Sequence, residues 1–439
     1  MDEIKLTDEM QEAVDKIEYT EECLFITGKA GTGKTTLLKY IVDHTRKRYV
    51  VAASTGVAAM NAGGVTLHRL FTIPLEVQDP TGRLKGNLYK DKMGLYKELE
   101  LLIIDEVSMV RPDTLDYIDR KLRLARMVDR PFGGVQVVCF GDLFQLPPVI
   151  KSTERDVLST FYRGSWFYYA RVWRECGFRT IELTQVFRQQ DQKFIDMLNR
   201  IRVYKFYQID EKAINRSYDC KAFDEDTESI VLTTLRKDAE TINLERLGEP
   251  THTYTAVLKD GFNAKSMTCP DILQLRVGAR VMTIANDKED RYINGSMGYV
   301  VECGDNYVIV DLDEGGTVKI EPFTWTEKEY VTDPKTKEIS SVDKGSCTQM
   351  PLRLAWAITI HKSQGLTFDK VKLKIPFAFS PGQLYVALSR CRSLEGIKTR
   401  NYIKASMIRK DPDLEAFRAA VKEKQGWFDK DTYMSMRLR

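Results

Sequence analysis

Apolar residues recur along this chain in two rhythms. Short unbroken runs stand at Cys23 to Ile26, Tyr49 to Ala53, Leu101 to Asp105 and Val135 to Phe140. Such runs predict strands buried on both faces. Between them the spacing turns helical: Leu37, Leu38, Ile41 and Val42 follow the first run, and Leu115, Ile118 and Leu122 share one face of a helix predicted over Pro112 to Arg130. Leu6 to Ile17 also predicts a helix, with Thr7 as N-cap and Asp8 and Glu9 in its first turn. Strands alternating with helices predict an α/β fold with parallel sheets. A second strand–helix series is predicted from Thr180 to Leu183, with Ser229 to Thr233 as its next strand. From about Thr251 to Met350 the runs RVGARVMTI, NGSMGYVV and NYVIVDLDEGGTVKI are broken by turn residues and lack helical period, which predicts an inserted small β-barrel. Pro351 to Ile360 reads as a returning buried strand and Gly382 to Ser393 as an amphipathic helix. The expected domains are 1–178, then 179–250 with 350–400, an inserted barrel at 251–349 and a C-terminal helical extension at 401–439.

The junction of the first strand and helix carries the clearest chemistry. GKAGTGKT, Gly28 to Thr35, fits the phosphate-binding loop pattern in the strand–loop–helix setting that pattern requires. Glycines let backbone N–H groups wrap phosphate oxygens, and the following helix points its positive end at the same anion. Lys34 can then reach the β- and γ-phosphates, and the Thr35 hydroxyl can ligate Mg²⁺. Downstream, Asp105 and Glu106 end a buried strand: Asp105 suits Mg²⁺, through water, and Glu106 suits the attacking water. Gln145, just past another strand, can sense the γ-phosphate. Gln11 can read adenine with its amide or can simply be a solvated helix residue. Thr55, Gly56, Thr66 and His68 lie in a small-residue stretch after a strand and can donate to phosphate oxygens. On the helix after Pro112, Arg120, Lys121, Arg123 and Arg126 read as a solvated charged face.

Composition narrows the setting. With 439 residues, 43% hydrophobic and 29% charged, the chain can bury a large core without covalent staples. A net charge of only +3 means that any nucleic-acid surface is a local stripe. Eight scattered cysteines form no C-x-x-C pair and suit a reducing compartment. Neither a signal peptide nor a membrane-length apolar run is visible, so the expected location is cytoplasmic in a bacterium or phage, or nuclear or mitochondrial in a eukaryote.

The motifs GKAGTGKTT, STGVAA, TLHRLF, IIDEVSMV, GDLFQLPPV, LTQVFRQ, AITIHKSQGLTF and YVALSRCRS stand in the order found in superfamily-one DNA helicases of the 5′-to-3′ branch. The stretch Arg111 to Gln136, with its PFGG, makes the chain resemble PIF-type helicases more than RecD-like ones. One departure is Met10, which separates Glu9 from Gln11 where the family has Glu and Gln adjacent.

The resemblance implies two RecA-like domains with ATP between them and single-stranded DNA across their tops. It implies ATP contacts from Gln11, Gly28, Ala30, Gly31, Thr32, Gly33, Lys34, Thr35, Thr36 and Gly365, with Mg²⁺ at Thr35 and Asp105. Catalysis would rest on Lys34, Glu106, Gln145 and two arginines, Arg188 and Arg390, offered to the γ-phosphate. DNA contacts would come from Thr55, Gly56, Thr66 and His68 on one domain, and from Thr233, Asn294, Thr359, His361, Lys362 and Ser363 on the other. The excursion at 69–83 would be a short strand-separating wedge, with Phe71 better placed in the core than at its tip. Substrates would be single-stranded and tailed or forked duplex DNA, with G-quadruplexes and RNA–DNA hybrids, acted on by a monomer in repair, replication or telomere maintenance. Two other classes stay open from the residues alone: a nucleotide-switched binding protein and a P-loop kinase.

Overall fold

The computed structural model describes residues 6–415, apart from 55–57, 60–61, 75, 83, 85–89, 151, 188–190, 260, 263, 265–266, 268, 290, 293, 314, 333–338 and 365. The chain divides into two units: residues 1–188 with 328–342 and 410–439, and residues 189–327 with 343–409.

Among the described residues, the first unit is built on one six-stranded sheet. Its strands are β1 (Leu24–Gly28), β2 (Tyr49–Ala53), β3 (Val65–Thr66), β4 (Leu101–Asp105), β5 (Gln136–Gly141) and β6 (Arg179–Leu183), in the spatial order β3-β2-β4-β5-β1-β6. Every pairing is parallel. Burial of all five residues of β1 and all six of β5 matches a sheet covered on both faces. Leu24, Ile26, Val51, Leu101, Ile103, Val138 and Phe140 form its core with Leu37, Leu38 and Ile41. The helices are α1 (Asp8–Tyr19), α2 (Lys34–His44), α3 (Leu67–Leu70), α4 (Lys90–Glu98), α5 (Pro112–Arg126), α6 (Ser152–Phe161) and α7 (Arg171–Cys176). Thr7 caps α1 as expected, its hydroxyl accepting from Met10 N–H at 3.3 Å.

Two expectations are corrected here. First, Arg179 to Leu183 does not open the second domain. As β6 it pairs along β1 and forms the edge of the first sheet, so this unit runs past residue 178. Second, the charged residues of α5 are not a solvated face. Lys121 is buried, and its ammonium donates to Phe71 O at 2.6 Å. Arg120 holds Asp79 O at 2.8 Å and also Gly82 O, and Arg126 donates to the carbonyls of Gly133, Lys97, Leu99 and Tyr96. Arg123 meets Asp119, Asp129 and Glu175. Asp113, Asp116 and Asp119, three residues apart, each accept backbone N–H groups from a different segment: Gln78, then Arg171 and Val172, then Phe132. The helix is therefore a hub whose charges satisfy loop backbone that would otherwise be buried without partners. The 69–83 excursion is strapped to that hub, and Phe71 lies in the core as expected, fully buried and stacked on Tyr96 with centroids 5.4 Å apart.

In the second unit, a four-stranded parallel sheet has the order β18-β7-β19-β20, from β7 (Ile230–Thr233), β18 (Ala357–Thr359), β19 (Val371–Lys374) and β20 (Ile397–Thr399). Its helices are α8 (Gln192–Arg202), α9 (Gln208–Ile214), α10 (Cys220–Glu225), α11 (Arg236–Leu247) and α12 (Gln383–Leu388). The insertion is β-rich as expected. It holds β8 (His252–Thr255), β9 (Val257–Lys259), β10 (Ile272–Leu275), β11 (Arg280–Thr283), β12 (Met297–Gly304), β13 (Tyr307–Leu312), β14 (Thr317–Ile320), β15 (Phe323–Thr332) and β16 (Ile339–Gln349). Among the described residues these form three separate ladders, β14-β13-β12-β11-β17, β10-β8 and β15-β16-β9, not one ring. Here β17 (Leu352–Leu354) corrects a third expectation: the run from Pro351 to Ile360 is two strands. Its first half pairs antiparallel with β11 in the insertion, and its second half becomes β18 of the parallel sheet.

The expected extension at 401–439 is divided between the units at residue 410, and residues 416–439 lie outside the described set. Asp411 accepts from the Trp166 indole at 2.8 Å within the first unit. No helix among the described residues is long and apolar enough to cross a membrane.

Candidate active site

Parallel order places the carboxyl ends of β4, β5 and β1 side by side, with β5 in the middle. Neighbouring strands lie about 4.8 Å apart, so the loops after β1 and β4 leave the sheet about 10 Å from one another. That crevice at the strand ends is where an open α/β sheet binds its ligand.

Backbone geometry explains the glycines of the loop after β1. Gly31 and Gly33 both have φ of +81°, a region that side chains disfavour. A Cβ on Gly28 would stand 2.6 Å from Thr32 Oγ1 and 2.8 Å from Leu183 O. Thr32 is buried and turns inward, its hydroxyl donating to Lys29 O at 3.0 Å; Ala30 is buried beside it. Lys34 Nζ donates to Gly28 O at 2.7 Å and Lys29 O at 2.9 Å, which fixes the ammonium in the mouth of the loop. Gly33 is the N-cap of α2 and contributes no side-chain cap, so the first N–H groups of that helix suit an anion. Thr35 and Thr36, in the first turn, are exposed.

Asp105 ends β4. Burial, and next to it the charge of Glu106, raise its carboxyl to about 7, against the Glu106 N–H bond and the Lys34 ammonium, which favour the anion. Glu106 has φ of +50° and ψ of +44°, a left-handed conformation unusual for a residue with a side chain. Its N–H donates to Asp105 Oδ1 at 2.9 Å, and its carbonyl accepts from the Ser54 hydroxyl at 3.2 Å. The turn then crosses the end of β5 at Gly141, where a Cβ would meet Val107 Cγ1 at 3.0 Å. Such strain, held by surrounding bonds, marks functional sites. Gln145 follows β5, is buried, and closes a turn by donating from its N–H to Asp142 O at 3.0 Å.

The structure thus brings Gly28 to Thr36, Asp105, Glu106 and Gln145 to one edge of one sheet. Gln11 is exposed on the outer side of α1, its amide donating to Asp15 at 2.8 Å. The residue of α1 that meets the loop is Met10, whose methyl lies 2.8 Å from where a Gly33 Cβ would be. The residue that broke the family pattern therefore packs on the loop. Sequence reasoning also missed Phe187: its N–H donates to Gly31 O at 2.8 Å, and its half-exposed ring lies beside Gly33. Nothing in its spacing signals this, because it follows β6, whose pairing with β1 no local pattern shows. Arg188, Gly365, Thr55 and Gly56 lie outside the described residues.

The expected nucleic-acid residues divide by environment. Thr66 caps α3, accepting from Arg69 N–H at 3.4 Å, and beyond that helix Lys92, Tyr96 and Lys121 hold the carbonyls of Arg69, Leu70 and Phe71. His68 has its imidazole pushed down by burial and by the Arg111 charge, which keeps it neutral. In the second unit, Thr233 and Thr359 are paired across β7 and β18 at the carboxyl edge. Thr359 Oγ1 accepts from Lys362 N–H at 3.3 Å, Lys362 is exposed, and the Asn294 N–H donates to Asn286 at 2.7 Å. Gly295 brings that loop against Leu366, 3.2 Å from a Gly295 Cβ. Thr233 and Ser363 are corrected: both are fully buried, and their hydroxyls donate to Leu235 O and Ile360 O at 2.8 Å each. They shape the backbone and present no donor to a ligand. Arg390 is also buried in its own unit, its guanidinium donating to Val386 O at 3.0 Å, Ser363 O, Leu366 O and Ser389 Oγ.

Comparison with known proteins identifies the family. The family model described as PIF1-like helicase matches residues 5–212. The ATP-dependent DNA helicase PIF1 of Rattus norvegicus is 33% identical over 433 residues, covering 96% of this chain and 65% of that protein. The chain therefore spans a little under two thirds of that relative's length. The ATP-dependent DNA helicase Pif1 of Bdellovibrio bacteriovorus is 31% identical over 406 residues, covering 90% of this chain and 88% of that one. Among solved structures, Pif1 of Bacteroides sp. in complex with ADP-AlF4 is 48% identical, covers 97% of this chain and 100% of its own, and superposes with a TM-score of 0.90. The Bacteroides helicase with ADP-AlF3 and single-stranded DNA is 49% identical, covers 96% and 98%, and gives 0.73. On the strength of these relatives and of the P-loop, acidic pair and glutamine gathered at one sheet edge, this chain belongs to the PIF1-like helicases.

Proposed function

We propose that this protein is an ATP-dependent DNA helicase that moves 5′ to 3′ along single-stranded DNA and separates the duplex ahead of it. One observation carries the reading: Lys34, the Asp105–Glu106 pair and Gln145 share the carboxyl edge of three adjacent parallel strands, with Glu106 held in a strained turn. Similarity to a Pif1 helicase solved with a nucleotide analogue and single-stranded DNA supports it.

In this reading Lys34 and the N–H groups of the loop hold the triphosphate, and Glu106 receives a proton from the attacking water. Thr35 and Asp105 provide the hydroxyl and carboxylate oxygens that suit Mg²⁺, which when bound neutralises phosphate charge. The fit is chemical: burial and the Glu106 charge disfavour a bare carboxylate at Asp105, and a divalent cation held there would offset both. Gln145 senses the γ-phosphate, and Arg390 stabilises charge spread over its equatorial oxygens. Thr66, His68, Asn294, Thr359, His361 and Lys362 contact the DNA strand, mainly along its backbone. Tailed and forked duplexes are the central substrates; G-quadruplexes and RNA–DNA hybrids extend the range, and the acting species is a monomer.

Strand separation on 5′-tailed, 3′-tailed and blunt duplexes with ATP and Mg²⁺ tests the proposal, with Lys34→Ala as control. The expected result is unwinding of the 5′-tailed duplex alone, DNA-stimulated hydrolysis, and loss of both in the variant. A strict need for a 3′ tail removes the direction, and hydrolysis indifferent to DNA favours a kinase or switch.

A further inference from the structure

Beyond the strand ends of the second unit lies a short segment that neither the motifs nor the nucleotide site accounts for. It runs from Ile375 to Ser380, directly after β19. Phe377 and Phe379 alternate in it with Ala378 and are 47% and 49% exposed, while Ile375 and Ala378 are buried. One exposed phenylalanine needs no explanation. Two of them, with ring centroids 6.3 Å apart, form a surface.

The strip is held in place. Arg409 Nε donates to Ala378 O at 2.9 Å, and the Phe379 N–H donates to the side-chain oxygen of the buried Gln383 at 3.1 Å. The peptide unit between the two outward rings is therefore anchored at both its carbonyl and its N–H, which limits what ordering would cost on binding. Phe379 lies 6.4 Å from His361 with planes 15° from parallel, and Phe377 lies 6.3 Å from Phe379 with its plane turned by 53°. Three flat groups thus follow one another at the carboxyl edge of the sheet. Burial pushes the His361 imidazole down, which keeps it uncharged and suited to stacking. Beside the row, Lys362 is exposed and stands in the field of Arg353 and Arg236, with Glu240 opposing them.

We propose that His361, Phe379 and Phe377 form a ledge on which consecutive bases of single-stranded DNA stack, an inference that rests on the DNA reading above. Every base has a π-face, so an aromatic ledge grips a strand without reading its sequence. Lys362 supplies the neighbouring phosphate contact. Two kinds of grip then sit on one unit: a cationic one that weakens with salt, and an aromatic one that does not.

The test is fluorescence anisotropy of a labelled single-stranded oligonucleotide, titrated at several salt concentrations. It compares the full-length wild type with Phe379→Ala, Phe377→Ala, Phe379→Trp and Lys362→Ala, each with its thermal midpoint checked. A second oligonucleotide of the same length carries abasic sites. Phe379→Ala is expected to weaken binding about 5- to 150-fold with an unchanged salt slope, and Phe379→Trp to restore it. Lys362→Ala is expected to flatten the slope by about 0.7. The wild type should discriminate against the abasic strand, and Phe379→Ala should lose that discrimination. If the wild type binds both strands equally, or the phenylalanine variants bind as it does, the ledge is overturned while the DNA reading stands. A wild type that binds neither strand overturns both.

Discussion

Glu106 offers the sharpest check on the site, because one residue joins backbone strain to chemistry. Its φ of +50° and ψ of +44° lie in the left-handed region. For a residue with a Cβ this conformation costs roughly 1–2 kcal/mol, a term that glycine escapes. Glycine in turn loses about 0.5–1 kcal/mol relative to alanine through the freedom of its unfolded chain. Glu106→Ala keeps the strain and removes the carboxylate; Glu106→Gly removes both. The difference between the two variants isolates the backbone and should favour glycine by about 0.5–1 kcal/mol, the reverse of the usual order. The bonds from Glu106 N–H to Asp105 and from Ser54 to Glu106 O involve only backbone atoms of this residue and survive in both variants. Urea unfolding followed by fluorescence, read for the transition of the first unit, measures the difference. Both variants should also lose hydrolysis about 10²- to 10⁴-fold, as expected for removal of a general base. A glycine variant less stable than the alanine one would refute the strain argument; normal turnover in either would refute the role of the carboxylate.

Three further outcomes follow from other places in the chain. Asp116 accepts from Tyr162 OH and from the N–H groups of Arg171 and Val172, so Asp116→Ala leaves three donors unpaired and should destabilise the first unit by about 3 kcal/mol; a loss under about 1 kcal/mol in chemical denaturation would contradict the hub role of α5. Asp226 is a case for pH: burial alone would raise its carboxyl, yet Lys398 at 2.7 Å and the N–H and hydroxyl of Ser229 hold it well below the ordinary carboxylate range. A depressed folded-state pKa contributes stability above the unfolded value of about 3.9 that is lost as pH falls toward the folded one. Melts between about pH 5 and 2 should therefore show the wild type losing its advantage over Asp226→Asn; a constant gap would remove the linkage. Arg390→Ala should retain nucleotide binding and lose about 10³–10⁵ in DNA-stimulated hydrolysis, while lowering the melting point because the carbonyls of Val386, Ser363 and Leu366 lose their donor; unchanged stimulation would leave it a purely structural residue.

The misassignments share a physical origin. Arg179 to Leu183 has the run of a strand, but nothing local says which sheet takes it; pairing with β1 is a contact across more than 150 positions. Pro351 to Ile360 is one apolar stretch in sequence, and its division between two sheets depends on where β11 and β7 stand. The charges of α5 look solvated because the helical period shows only which residues share a face. It does not show that loops with unpaired carbonyls will cover that face. Thr233 and Ser363 were expected to meet a ligand because hydroxyls suit phosphate. Carbonyls of the turns that follow β7 and β18 took the donors first.

What the chain's own order determined is the nucleotide loop, the acidic pair, the glutamine after β5 and the alternation that makes parallel sheets. These are local: a glycine that must adopt positive φ, a short strand buried at all five positions and a helix start all act within about ten positions. Tertiary structure alone decided that β5 lies between β1 and β4, so that Lys34, Glu106 and Gln145 share an edge, and that Met10 and Phe187 pack on the loop. It also turned Phe377 and Phe379 outward beside His361. The reason is that burial and hydrogen-bond satisfaction are settled between segments distant in sequence, and no local pattern records which segments meet.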